Sequence, residues 1–81
     1  MIEVQVKFYG GLHTRYPDLP LGQTLTCQTQ AGATIEQLLA GQLNLPADDV
    51  AIALVNGKRQ DLTYRLQDGD LLVLFPPIAG G

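Results

Sequence analysis

At 81 residues the chain makes one domain, and only about 60% of the unfolded surface is buried at this size, so the core is a single layer pair. Apolar residues at 46% and charged residues at 16% fit an ordinary globular protein, and a net charge of −3 argues against a nucleic-acid partner, which calls for a basic stripe. The single cysteine, Cys27, excludes an internal disulfide framework and a cysteine-cluster metal site, and no apolar run approaches the roughly 20 residues of a membrane span.

Ile2, Val4, Val6 and Phe8 alternate with Glu3, Gln5, Lys7 and Tyr9, a period of two that predicts a half-buried strand. No charged segment precedes an apolar stretch here, so no signal peptide is expected and the expected compartment is the cytoplasm. Gly10-Gly11 ends the strand and lacks the spacing of a phosphate-binding loop. Residues 12–22, rich in proline and glycine, read as a surface loop in which His13 is solvated and has no second metal ligand nearby. Residues 23–30, QTLTCQTQ, predict a polar edge strand forming a hairpin with the first. Leu25 and Cys27 share one side of it, which makes Cys27 a small core residue in preference to a persulfide site.

Thr34 followed by Gln37 fits a capping box, and Ile35, Leu38, Leu39 and Leu43 fall on one helical face. Gly41 weakens that helix by ~1 kcal/mol relative to alanine, and Asn44 and Pro46 end it. A link at 47–49 leads to an apolar strand at 50–55. Asn56-Gly57 is a hairpin signal, because both residues tolerate the positive φ of a tight type I′ turn, with a short returning strand at 58–61. Lys58-Arg59 beside the turn reads as a solvated tip, with docking to an acidic partner as the alternative. Residues 63–67 are irregular and anchored by Leu66. Asp48-Asp49 and Asp68 with Asp70 read as turn and cap residues, without the spacing of a cation loop, and no metal site is expected.

The chain ends DGDLLVLFPPIAGG. Asp68-Gly69-Asp70 is a turn, and 71–75 is an apolar run of strand length stopped by Pro76-Pro77, which lack the N–H a sheet ladder needs. Leu72 and Leu74 point to one face and Leu71, Val73 and Phe75 to the other, so the strand needs cover on both. The predicted order is β-β-α-β-(short β)-β, a two-layer α+β domain with the first and last strands side by side in a mixed sheet of four to five strands and one main helix. That helix covers one face only. The other, carrying Leu71, Val73 and Phe75, is a candidate partner surface. Beyond Phe75 the side chains taper through Pro76, Pro77, Ile78 and Ala79 to Gly80 and Gly81, a slim backbone presented for insertion into a partner, with the α-carboxylate of Gly81 as the reactive group. The division is a domain at 1–75 and a flexible tail at 76–81. No Ser/His/Asp, Cys/His or paired-carboxylate constellation is visible, so the chain reads as a protein cosubstrate in preference to a self-contained enzyme.

The element order resembles the β-grasp fold of ubiquitin, and the DGDLLVLFPPIAGG ending, with Val55-Asn56-Gly57 upstream, resembles the MoaD/ThiS family of ubiquitin-like sulfur carriers. The resemblance implies that a ubiquitin-activating-type adenylyltransferase uses ATP to adenylate Gly81. Sulfur from a donor then gives a thiocarboxylate, which a sulfur-acceptor enzyme or large synthase subunit uses. No cofactor is bound by the carrier itself. Phe75-Pro76-Pro77 is similar to the molybdopterin branch. A thiamine-thiazole or other sulfur-transfer carrier, and a protein modifier joined to lysines through Gly81, are the alternatives, and a plain interaction module is a third class.

Overall fold

The two ends of the domain lie side by side. β1 (Ile2–Phe8) pairs in parallel with β5 (Leu71–Phe75), Gln5 standing opposite Leu71 and Phe8 opposite Leu74. β2 (Thr24–Thr29) flanks β1 antiparallel, β3 (Ile52–Val55) flanks β5 antiparallel, and β4 (Lys58–Gln60) closes the other edge. The result is a five-stranded mixed sheet in the order β2-β1-β5-β3-β4. The structure is a computed structural model that describes residues 1–9 and 24–77; the loop expected at 12–22, with His13, and residues 78–81 lie outside these.

A parallel pair cannot be closed by a tight turn, so the chain between β1 and β5 must cross over, and its helix lands on one face. That helix, α1 (Ile35–Leu38), opens on the expected capping box: the Thr34 hydroxyl accepts from Gln37 N at 3.1 Å and the Gln37 amide oxygen accepts from Thr34 N at 2.9 Å. Two further N–H groups of its first turn, Ile35 and Glu36, donate to the carbonyls of Tyr64 and Leu62, so the segment before β5 docks on the helix start. Leu66, only 2% exposed, anchors that segment. After Leu38 the helix widens into a π turn, Leu39–Leu43, which contains Gly41. Asn44, in the left-handed region at φ 53, and Leu45 both donate backbone N–H groups to the Leu39 carbonyl and stop it.

The core is the sheet face formed by Val4, Val6, Phe8, Cys27, Ala53, Val55, Leu72 and Leu74, packed against Ile35, Leu38, Leu39, Leu45, Val50 and Leu66. Ile2, Leu25 and Leu43 pack on it partly buried. Cys27 is buried, as expected of a core residue. The third strand begins at Ile52, two positions later than its apolar run suggests, because 47–49 coil into a 3-10 turn and Val50 N donates to the Ala47 carbonyl. Asn56 and Gly57 have φ of 53 and 86, the pair of positive values a type I′ hairpin requires.

Candidate functional site

One face of the sheet takes the helix; among the described residues no element packs over the other. Pairing register fixes what stands there. Lys7 lies opposite Val73, Val73 opposite Leu54, and Leu54 opposite Arg59, so a single row across the sheet reads Lys7–Val73–Leu54–Arg59. One row further along, Phe75 stands opposite Ile52. The Tyr9 ring stacks on Phe75 at a centroid distance of 5.5 Å and an interplanar angle of 15°. On the other side, Leu71 stands opposite Gln5. Leu54, Leu71, Val73, Phe75 and Ile52 are half-buried and Tyr9 is 44% exposed, so an apolar patch is presented to whatever approaches. Pro76 is half-buried and Pro77 exposed, and the ladder stops before them.

The residues predicted for partner binding therefore divide. Leu71, Val73 and Phe75 are brought together on the open face, and Pro76 and Pro77 continue from its edge. Ile78, Ala79, Gly80 and Gly81 lie outside the described residues. Sequence reasoning passed over Ile52, Leu54 and Tyr9. The first two stood in a run whose alternation is masked by apolar residues on both faces, and the Tyr9–Phe75 stack needs the parallel pairing of two strands far apart in sequence.

The position of β5 depends on a second group of residues, centred on a carboxylate. Asp70 is 5% exposed, although the sequence suggests only a turn residue. Its Oδ1 accepts from the Asn56 side-chain amide at 2.9 Å, and its Oδ2 from Gln67 N at 2.8 Å and the Tyr64 hydroxyl at 3.2 Å. The Asn56 side-chain oxygen in turn accepts from Leu71 N at 2.9 Å. Asp70 thus joins the β3–β4 hairpin to the turn before β5, and its carbonyl accepts from Gln5 N of β1. The same turn is held from the other side: Asp68 Oδ1 accepts from Glu3 N at 2.8 Å, and Gly69, at φ 87, donates to the Glu3 carbonyl. Every buried side-chain polar atom among the described residues has a partner. Desolvation, then the charge of Asp70 and the hydrogen bond to it, hold the Tyr64 phenol above its ordinary value. Burial likewise raises the Cys27 thiol, so little nucleophilic thiolate is present at neutral pH.

Among the described residues no three His, Cys, Asp or Glu side chains gather as a metal site would need, and no helix is long and apolar enough to cross a membrane. What the arrangement offers is an apolar sheet face whose central strand is followed in sequence by Pro-Pro-Ile-Ala-Gly-Gly.

Residues 1–79 match the model of the family described as Mut7-C ubiquitin. No curated protein matches the sequence. Among solved structures, the small archaeal modifier protein 1 of Haloferax volcanii is 21% identical, with a TM-score of 0.69 over 96% of this chain and 100% of that one. A chain of the complex of subunits 1 and 2 of the molybdopterin-converting factor from Helicobacter pylori is 22% identical, with a TM-score of 0.61 over 99% of this chain and 100% of that one. At these identities the likeness establishes the shared ubiquitin-like fold, the β-grasp architecture expected from the element order.

Proposed function

Because the chain belongs to the Mut7-C ubiquitin family, we propose that it works as ubiquitin-like carriers do, as a protein cosubstrate activated at the carboxyl group of Gly81. The observation that carries this reading is the continuity of the central strand with the tail. β5 stands in the middle of the open face and ends at Phe75, and the sequence continues as Pro-Pro-Ile-Ala-Gly-Gly. Docking of the face sets where that terminus reaches.

The chemistry follows from what a carboxylate lacks. It is a poor electrophile, so a ubiquitin-activating-type adenylyltransferase must first convert it: the Gly81 carboxylate attacks the α-phosphorus of ATP, pyrophosphate leaves, and an acyl adenylate forms. Hydrosulfide or an equivalent sulfur donor then adds to the acyl carbon and AMP leaves, exchanging one carboxylate oxygen for sulfur with no net change of oxidation state. The thiocarboxylate is a nucleophile that can surrender its sulfur to an acceptor, so the carrier is regenerated. Glycines at 80 and 81 keep the reacting end free of side chains, and Pro76-Pro77 reduces the entropy lost on insertion. The carrier needs no bound cofactor; the ATP belongs to its partner.

Molybdopterin synthesis is the favoured sulfur acceptor route. It is supported by the likeness to a chain of a molybdopterin-converting factor, there found in a complex of its two subunits, which points to a large synthase subunit as the second partner. A second reading is supported by the likeness to a small archaeal modifier protein: the same acyl adenylate passed to lysines as an isopeptide. Exchange of labelled pyrophosphate into ATP tests the step common to both. Wild type should support exchange with its activating enzyme, while deletion of Gly81 or addition of one residue after it should abolish exchange, since a one-residue displacement exceeds the roughly 3–3.5 Å approach that reaction demands. Equal exchange by all three chains would refute activation at Gly81.

A further inference from the structure

The apolar patch is not evenly framed. In the row through its centre the flanking positions are both cationic, Lys7 on β1 and Arg59 on β4, with Val73 and Leu54 between them. Three strand spacings of about 4.8 Å put their backbones about 14 Å apart. Neither makes an ion pair with another described residue. The chain as a whole carries a net charge of −3, so two cations with no ionic partner among the described residues, in one row of one face, run against the background. Lys7 is half-buried and Arg59 is exposed. Two carboxylates stand toward the ends of the strands: Glu3, two same-face positions from Lys7 at the opposite end of β1, and the exposed Asp61, two residues after Arg59 and just beyond β4.

We infer that the open face takes a protein surface whose apolar ridge is flanked on both sides by carboxylates, and that Lys7 and Arg59 select it. Three rows by four strands amount to about 400 Å² of sheet plane, about half of what one partner contributes to a standard-size interface. A face of that size holds a partner firmly only when further contacts, such as those of an inserted tail, add to it. A second copy of the chain is a poor occupant. Whichever way a twofold axis ran, laying this row on itself would bring cation against cation. A nucleic acid is poorer still: two cations are not a phosphate-tracking stripe, and the Tyr9 and Phe75 rings are stacked on each other, so neither pair of inner faces is open to a base. Flanking charges that stay at the rim act on encounter and on the choice of partner, and are screened by salt.

The identity of the partner rests on the activation reading, and the experiment separates the two. Binding of the chain to its ubiquitin-activating-type adenylyltransferase is titrated by calorimetry without ATP, between about 0.03 M and about 0.3 M salt, and pyrophosphate exchange is measured on the same samples. Wild-type affinity should fall as salt rises. Lys7→Glu with Arg59→Glu should weaken binding by about tenfold or more at low salt and remove the salt dependence. Lys58→Glu makes the same charge change as Arg59→Glu one residue away on the opposite side of β4, and should leave affinity within about twofold of wild type. Charge-dependent binding without exchange upholds the inference and refutes activation. Exchange with affinities indifferent to Lys7 and Arg59 refutes the inference and leaves activation standing. Equal effects of Lys58→Glu and Arg59→Glu, no binding by wild type, tighter binding of a single-stranded RNA oligomer than of the enzyme, or self-association through this face would each overturn it.

Discussion

Replacing Asp70 by alanine should cost more than any other substitution at a turn of this protein. The carboxylate is 5% exposed and accepts from Asn56 Nδ2, Tyr64 Oη and Gln67 N at 2.9, 3.2 and 2.8 Å. Bonds to a charged acceptor range up to about 3 kcal/mol each, but the Tyr64 bond is long and Asn56 and Gln67 are exposed, so their donors regain water when Asp70 is lost. At about 0.5–1.5 kcal/mol for each of the three bonds, the loss comes to about 1.5–4.5 kcal/mol. An 81-residue domain at about 0.05–0.15 kcal/mol per residue has about 4–12 kcal/mol in all, so the variant should be visibly less stable and in the worst case partly unfolded. Asp70→Asn keeps the shape and one acceptor while turning an NH₂ toward a donor, and should cost about half as much. Urea unfolding followed by circular dichroism reads both, with the midpoint falling and the slope unchanged. The Asn56 and Leu71 amides should shift together in an NMR spectrum of Asp70→Asn, since Asn56 passes the contact on to Leu71 N. A loss below about 0.5 kcal/mol for Asp70→Ala would refute the claim that this carboxylate holds the hairpin to β5.

Phe75→Ser should lose only about 1 kcal/mol in urea unfolding, because the ring is half-buried and its main partner is Tyr9, yet should weaken binding to the activating enzyme severalfold; unfolding without a separate binding defect would move Phe75 into the core. Gly41→Ala should stabilise the helix by about 0.4–1 kcal/mol, since a Cβ there meets nothing within 4 Å and the residue does not occupy the left-handed region; a lower melting temperature would contradict this. The Cys27 thiol titrates higher in the folded protein than in the unfolded chain, so its contribution favours the fold while protonated and fades as pH rises above about 8.5 toward the folded value. The alkaline loss of stability should be smaller in Cys27→Ala, and alkylation of wild type should be slow until the protein unfolds.

Much of this fold was legible because its signals are local. Thr34 and Gln37 announce the helix start, Asn56-Gly57 the hairpin, and the alternation of Leu71 to Phe75 the central strand with two apolar faces. What escaped is what distance in sequence hides. Asp70 looks like a turn residue until Asn56, fourteen positions away, is folded against it. The cationic flanks of the open face exist only in the register that sets Lys7 beside Val73 and Leu54 beside Arg59. The end of α1 as a π turn, and the late start of β3 after a 3-10 turn, depend on carbonyls of Leu39 and Ala47 finding particular N–H partners, a choice made by packing.

The central claim is that the carboxyl group of Gly81 is the working group of this protein. It is tested most directly by the intact mass of the chain after incubation with the activating enzyme, ATP and a sulfide donor, followed by fragmentation to locate any change. The account predicts one oxygen exchanged for one sulfur in the fragment that ends at Gly81, and no exchange when Gly81 is deleted. Sulfur found on Cys27, or acquired as readily by the shortened chain, would contradict it.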